Sequence, residues 1–145
     1  MVLKCVKCGL KFPPYPPKSN CERCGGALEY EISLPKNHKI KFSGKLRFWR
    51  YRALLPMAQN VISLGEGGTP LYKAERLAKN VGLKRLYLKD ETRNPTNSFR
   101  DRAAALLTSN AIDLKYDTLI CATNGNLGAS LAAYSAKAEL ICHVI

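Results

Sequence analysis

Apolar and polar positions change period in a regular order along residues 66–145. Apolar residues at helical spacing predict a short helix over residues 73–81, with Leu77 and Val81 facing inward, and a short apolar run predicts a strand over residues 85–89. The same patterns predict a helix over residues 98–112, a strand over 118–121, a helix over 127–138 and a strand over 140–145. This β-α-β-α-β order predicts parallel strands joined by right-handed crossovers.

The helix predicted over residues 98–112 has its own start signal. Asn97 or Ser98 is expected to cap its first turn, because short polar side chains accept hydrogen bonds from free backbone N–H groups. Its predicted inward face consists of Phe99, Ala103, Leu106, Leu107 and Asn110.

Four cysteines dominate the first part of the chain. Cys5 and Cys8 form one Cys-x-x-Cys pair, and Cys21 and Cys24 form a second pair. Each pair is followed by glycine, which allows a tight turn, so the spacing predicts a closed tetrahedral zinc site of structural character. Two disulfides or a redox pair are the alternatives. A reducing compartment disfavours the first, and the lack of a following strand–helix frame disfavours the second.

His38, Cys121 and Cys142 are not expected to be zinc ligands. His38 is interpreted as a surface histidine, because four cysteines already complete a zinc shell. Cys121 and Cys142 lie in short apolar runs and are expected to be small core residues.

The segment that follows the cysteines is strongly basic. The chain has 23 Lys and Arg against 11 Asp and Glu, a net charge of +12, and no acidic residue lies between Glu31 and Glu66. Aromatic residues are interleaved with the cations, which is typical of surfaces that contact phosphates and stack on bases. The predicted nucleic-acid contacts are Lys36, Lys39, Lys41, Lys45, Arg47, Arg50 and Arg52. The alternative is a solvated linker followed by a docking helix whose aromatics are core.

Residues 94–102 read Asn-Pro-Thr-Asn-Ser-Phe-Arg-Asp-Arg. This run resembles the motif Asn-Pro-Thr-Gly-Ser-Phe-Lys-Asp-Arg of threonine synthases, which are pyridoxal-phosphate enzymes. Residues 64–71 resemble the segment that enters the family's cofactor domain, and residues 122–134 resemble its Gly-Asn-x-Gly loop. The resemblance implies that Asn126 matches the asparagine that lies against the cofactor ring.

The first motif also departs from the family at the position that matters for chemistry. Arg100 stands where the resemblance implies the Schiff-base lysine, and a guanidinium stays protonated and cannot attack an aldehyde. The glycine-rich phosphate loop and the partner of the pyridine nitrogen lie further along the family's sequence. We therefore expect no enzymatic activity.

These observations predict an α/β protein built on a truncated threonine-synthase-like scaffold. Its parts are a zinc ribbon over residues 1–34, a basic linker and docking helix over 35–65, and a small three-layer β-α-β-α-β domain with a parallel sheet over 66–145. We expect no membrane segment and a cytoplasmic location.

The predicted function is that of a non-enzymatic protein that binds zinc as its cofactor and contacts RNA. Ribosomal RNA and the neighbouring proteins of a ribonucleoprotein are the expected partners, and a partner is expected to cover the apolar strand over residues 140–145. The alternative is an N-terminal fragment, or an inactive regulatory paralogue, of a threonine synthase.

Overall fold

A computed structural model describes residues 2–16, 18–32, 42–56 and 59–145. The chain divides into two compact units. The first comprises residues 1–42 with 53–56, and the second comprises residues 43–52 with 57–145. Across the described ranges, the helices are too short or too polar for any of them to span a lipid bilayer.

The first unit contains a three-stranded antiparallel sheet. Its strands are β1 (Val2–Cys5), β2 (Lys11–Phe12) and β3 (Leu28–Glu31), in the order β2-β1-β3. Alternation along β1 buries Leu3 and Cys5, because successive side chains of a strand point to opposite faces. The strand therefore buries Cys5, the first cysteine of the first pair, whereas Cys8 is exposed.

The second unit has an α/β architecture. Its elements are β4 (Leu71–Lys73), α1 (Glu75–Asn80), β5 (Tyr87–Lys89), α2 (Arg100–Asp113), β6 (Thr118–Cys121), α3 (Asn126–Lys137) and β7 (Ile141–Val144), with a 3-10 helix at Glu91–Arg93. Another 3-10 helix, Phe48–Leu54, belongs to this unit up to residue 52. Strands β6 and β7 pair in parallel, and α3 connects them. The predicted α/β class and the parallel connection are confirmed at this level.

The core of the second unit lies between α2 and α3. Ala104 and Ala105 pack against Leu131 and Tyr134, and all four side chains are buried. Phe48, Trp49, Ile62, Leu119, Cys121 and Cys142 pack around this centre while remaining partly exposed. The two alanines allow the helices to approach closely, and Tyr134 fills the space between them.

Three sequence-based expectations about this unit are wrong. Residues 87–89 do not extend a parallel sheet, because β5 pairs antiparallel with β4, where Leu71 faces Lys89. Leu77 and Val81 are exposed, and Ala78 is the buried residue of α1. The N-cap of α2 is Phe99, which has no side-chain cap bond, although Ser98 Oγ accepts a hydrogen bond from the Arg100 N–H.

The inward face predicted for α2 is also wrong. Phe99 and Leu107 are about half exposed, while the helix buries a different set consisting of Asp101, Ala104, Ala105, Thr108, Ser109 and Ala111. Small and short polar residues lie at the contact with α3, where a larger apolar side chain would hold the helices apart. The larger apolar residues of α2 are consequently left outside the contact.

Candidate functional site

A cleft of about 380 Å³ lies between the start of α2 and the loop that leads into α3. Its polar lining comes from Arg100, Thr123, Asn124 and Asn126, and its apolar lining from Phe99, Ala122 and Leu127. The cleft thus joins two segments that are distant in sequence, and both belong to motifs identified above. The structure brings Arg100 and Asn126 to one site.

Arg100 enters this cleft as a cation. Its guanidinium carbon lies 4.8 Å from the centre of the Phe99 ring, a distance suited to a cation–π contact. A delocalised guanidinium remains protonated at every physiological pH and offers no free amine. Residue 100 can therefore hold an anion or stack on a ring, but it cannot form an imine.

The turn before Arg100 has an unusual backbone. Asn97 has a φ of 59°, in the left-handed region that glycine adopts most easily and that asparagine tolerates better than other residues. The threonine synthase motif has glycine here. The substitution by asparagine therefore preserves the turn, in contrast to the substitution at position 100, which changes the chemistry.

Asp101 of α2 holds the turn at residues 96–97, and Thr96 of that turn contacts α3. Its side chain is fully buried, and its carboxylate accepts hydrogen bonds from the Thr96 N–H at 2.8 Å and from the Thr96 hydroxyl. The Thr96 hydroxyl oxygen also lies 2.9 Å from Ser130 Oγ of α3. A buried carboxylate needs such donors to offset its lost hydration, and the first turn of a helix favours its charge.

A second group of hydrogen bonds connects the turn to residues 64–71. Asn94 accepts the Gly67 N–H at 2.9 Å and donates to the Glu91 carboxylate at 2.9 Å. Arg102 donates to both oxygens of Glu91, from Nε at 2.9 Å and from Nη2 at 2.8 Å. The Thr69 hydroxyl donates to Glu91 at 2.7 Å. Glu91 therefore holds two of the three motifs together.

Glu66 connects the third motif. Its side chain is 1% exposed, and its Oε2 accepts hydrogen bonds from the Tyr134 hydroxyl at 2.8 Å, from the Ser63 hydroxyl and from the Leu64 N–H. Burial, followed by this hydrogen bond, raises the pKa of Tyr134 far above its ordinary range. Glu66 and Tyr134 belong to motifs identified from the sequence, but neither they nor Glu91 were assigned a structural role, because nothing in the sequence pattern indicated which polar residues are buried.

Glu91 gives the protein a specific response to acid. The hydrogen bond from Arg102 lowers the pKa of Glu91 to about 2, and burial opposes this shift only partly. Because an unfolded glutamate titrates near pH 4.3, the contribution of Glu91 is present above that pH and is lost as the pH falls toward about 2. We expect Glu91→Gln to flatten the fall in the free energy of unfolding over this window, measured by urea denaturation.

A matched control for this experiment is Glu75→Gln. Glu75 pairs with Lys73 at 2.7 Å, but both side chains are more than half exposed. Exposed pairs contribute little to stability. Glu75→Gln should therefore leave the acid slope unchanged, and equal slopes in the Glu91→Gln protein and the unaltered protein would show that Glu91 does not contribute as described.

The four cysteine sulfurs of the first unit form one cluster. All four Sγ atoms lie within 4.8 Å of one another, with Cys5 and Cys24 at 3.5 Å and Cys8 and Cys21 at 3.6 Å. No pair is at the roughly 2.0 Å of a disulfide bond. The Cys8 N–H donates to Cys5 Sγ at 3.4 Å and lowers the pKa of the Cys5 thiol to about 6.

Two exposed arginines of the basic segment donate hydrogen bonds to backbone carbonyls. Arg47 donates to the Gly67 carbonyl at 3.0 Å, and Arg52 donates to the Gln59 carbonyl at 3.1 Å. Lys45 is exposed and Arg50 is half-buried. The predicted contacts Lys36, Lys39 and Lys41, together with His38, lie outside the described residues.

The comparisons with known proteins agree with the motifs. The family described as "Pyridoxal-phosphate dependent enzyme" matches residues 62–145. A threonine synthase of Methanosarcina acetivorans is 40% identical over 95% of this chain and 35% of its own length. One of Methanocaldococcus jannaschii is 40% identical over all of this chain and 37% of its own length, and one of Halalkalibacterium halodurans is 42% identical over 66% of this chain and 27% of its own. The chain thus spans about a third of the length of the two archaeal relatives.

These matches overturn the predicted RNA-binding function. The relatives are named threonine synthases, and nothing in the matches points to a ribosomal protein, an RNA partner or a ribonucleoprotein. The structure supplies a physical reason. Arg47 and Arg52 hold backbone carbonyls, and Phe48 and Trp49 pack against the core instead of presenting free ring faces.

The predicted cofactor is also corrected. The matched family and its relatives point to pyridoxal phosphate and not to zinc as the cofactor. The cleft of this chain nevertheless does not fit a covalently held pyridoxal phosphate, because its lining offers the Arg100 guanidinium and asparagine amides but no amine. The surrounding scaffold matches the family, whereas the residue that would attach the cofactor does not.

Proposed function

The chain belongs to the pyridoxal-phosphate dependent enzyme family as an N-terminal part of the threonine synthase type, and from this premise we propose that it forms an inactive version of that scaffold. Arg100 is the observation that supports the proposal. It lies in the cleft that also contains Asn126, and it cannot supply the amine that covalent attachment of the cofactor requires.

The surroundings of Arg100 favour this proposal over a general decay of the site. Asp101 and Thr96 still anchor the turn, Asn97 still adopts the left-handed backbone, and Glu91 still holds Arg102. A scaffold that had lost its constraints would not retain a fully buried carboxylate with two donors. The change is therefore concentrated at the position of the amine.

The proposal predicts that Arg100→Lys restores a reactive amine at this cleft. Incubation with pyridoxal phosphate, reduction with borohydride and peptide mapping should give labelling at position 100 about tenfold above that of surface lysines, because a pre-positioned amine reacts faster than a freely diffusing one. The unaltered chain should show no label on the peptide that contains Arg100.

Arg93→Lys is the matched control, because Arg93 is exposed at the end of a 3-10 helix and does not line the cleft. Labelling at position 93 should equal that of other surface lysines. Equal labelling at positions 93 and 100 would remove the support for a cofactor cleft. A single stoichiometric label on one lysine of the unaltered chain would show that another residue supplies the amine, and the inactive interpretation would be wrong.

We also propose that the first unit is a zinc ribbon whose metal is structural and separate from the family's cofactor chemistry. Four thiolates around zinc at about 2.3 Å stand roughly 3.8 Å apart in a tetrahedron. The separations of 3.5 Å and 3.6 Å between the nearest sulfurs are close to that value. Four sulfur ligands favour zinc and leave no open position, which supports a role in folding instead of catalysis.

A further inference from the structure

A second cavity, of about 290 Å³, lies beside α1 in the second unit. Four cationic side chains line it, from Lys73, Lys79, Lys84 and Arg85, and among its lining residues Glu75 supplies the only carboxylate. That carboxylate lies 2.7 Å from the Lys73 ammonium group and neutralises it. Three positive charges are left in excess around the cavity, which we call the basic cavity.

Backbone hydrogen bonds bring these cations together. The Ala74 N–H donates to the Leu86 carbonyl at 2.9 Å and joins the end of β4 to the approach to β5. The Leu83 N–H donates to the Ala78 carbonyl at 2.8 Å, and Gly82 has a φ of 73°, so the chain reverses direction directly after α1. The reversal carries the two cations that follow the turn to the same cavity as the cation of α1.

The three excess cations have no acidic partner in the part of the chain that the structure describes. No hydrogen bond or ion pair there involves the side chains of Lys79, Lys84 or Arg85. Elsewhere in the described ranges, by contrast, Lys4 and Lys11 both pair with Glu31. Like charges repel across roughly one Debye length, about 8 Å at physiological salt, so gathering three of them around one small cavity costs free energy that a bound polyanion would return.

We propose that the basic cavity binds a small molecule through a diphosphate group. The planar fork of Arg85 matches two oxygens of one phosphate, and the ammonium groups of Lys79 and Lys84 act as point charges for the other. The volume of the cavity is at the lower end of the range of ligand pockets, about 300–1,000 Å³, which favours a compact anion. The basic cavity shares no lining residue with the cleft at Arg100, so this inference goes beyond the proposed function and does not depend on it.

The test is a calorimetric titration of the chain with pyrophosphate in magnesium-free buffer. The expected result is binding at one site, at least about tenfold tighter than the binding of inorganic phosphate, because the second phosphate adds charge-assisted contacts. Lys79→Gln/Lys84→Gln should weaken pyrophosphate binding by at least about tenfold, because it removes two of those contacts. Both lysines are exposed and their side chains have no partner among the described residues, so these substitutions leave the fold intact.

The control is Lys115→Gln/Lys137→Gln, which removes the same two positive charges at exposed lysines that do not line the basic cavity. This variant should bind pyrophosphate as the unaltered chain does. No binding, equal affinities for pyrophosphate and inorganic phosphate, or equal weakening in both double variants would each overturn the proposal. A parallel titration with ADP identifies the source of the group: binding of ADP as tight as that of pyrophosphate assigns the diphosphate of a larger molecule, and binding of pyrophosphate alone assigns the free ion.

Discussion

Cys21→Ser should abolish tight zinc binding and unfold the three-stranded sheet of the first unit. The buried apolar side chains described in this unit are Leu3, Cys5 and Cys21, and two of them belong to the sulfur cluster. So small a core cannot offset the conformational entropy that the strands and the turns at the two Cys-x-x-Cys pairs lose on folding. Structural zinc contributes about 10–16 kcal/mol in comparable small sites, so the loss of one thiolate is expected to be decisive.

The measurement is zinc content after dialysis, together with amide protection of Leu3 and Tyr30, which face each other across β1 and β3. Cys121→Ser is the control, because Cys121 is a half-buried cysteine of the second unit and lies outside the cluster. It should retain one zinc per chain and full protection. A Cys21→Ser protein with unchanged zinc content and protected strands would show that the four cysteines are not the ligand set.

The elements that were predicted correctly are those whose signals are local. Strand β6 has the predicted bounds, and α3 and β7 differ from the prediction by one residue at each end. Apolar runs separated by turn residues determine these elements with little help from distant parts of the chain. The Cys-x-x-Cys spacing is equally local, and the four sulfurs do meet.

The elements that were predicted wrongly depend on partners far away in sequence. Strand β4 has three residues and becomes a strand only because β5 lies beside it. The buried face of α2 consists of small and polar residues, and two of the polar ones bond to groups outside the helix: Asp101 accepts from the Thr96 N–H, and Ser109 Oγ accepts from the Ile62 N–H. Hydrophobic periodicity cannot find such a face, because the residues that form it are not hydrophobic.

The candidate site shows the same division. The motif around Arg100 identified the cleft from sequence, and the structure brings Asn126 to it. The hydrogen bonds that hold the cleft in place run through Glu66, Glu91 and Tyr134, whose structural role the sequence did not indicate. Basic composition favoured RNA, but Arg47 and Arg52 of that segment donate to backbone carbonyls, and the matched relatives are named threonine synthases. Charge by itself therefore predicted the wrong class of partner.

Gly68→Ala should destabilise the second unit more than any other single methyl group added to its glycine loop. A Cβ at residue 68 would lie 1.8 Å from the Leu46 carbonyl oxygen, which belongs to the backbone and cannot move aside as a side chain could. Gly68 also has a φ of 64°, which costs a residue with a Cβ about 1–2 kcal/mol. Together we expect a loss of roughly 3 kcal/mol or more in the free energy of unfolding.

The loss should also reach the cleft, because the neighbouring Gly67 N–H donates to Asn94, which is bonded to Glu91. Gly65→Ala separates the steric effect from the backbone effect. Gly65 has a φ of 90° in the same loop, but a Cβ there would meet nothing within 4 Å, so only the backbone cost of about 1–2 kcal/mol is expected. Urea denaturation compares the two variants, and equal losses would mean that the contact with Leu46 relaxes freely and does not constrain the loop.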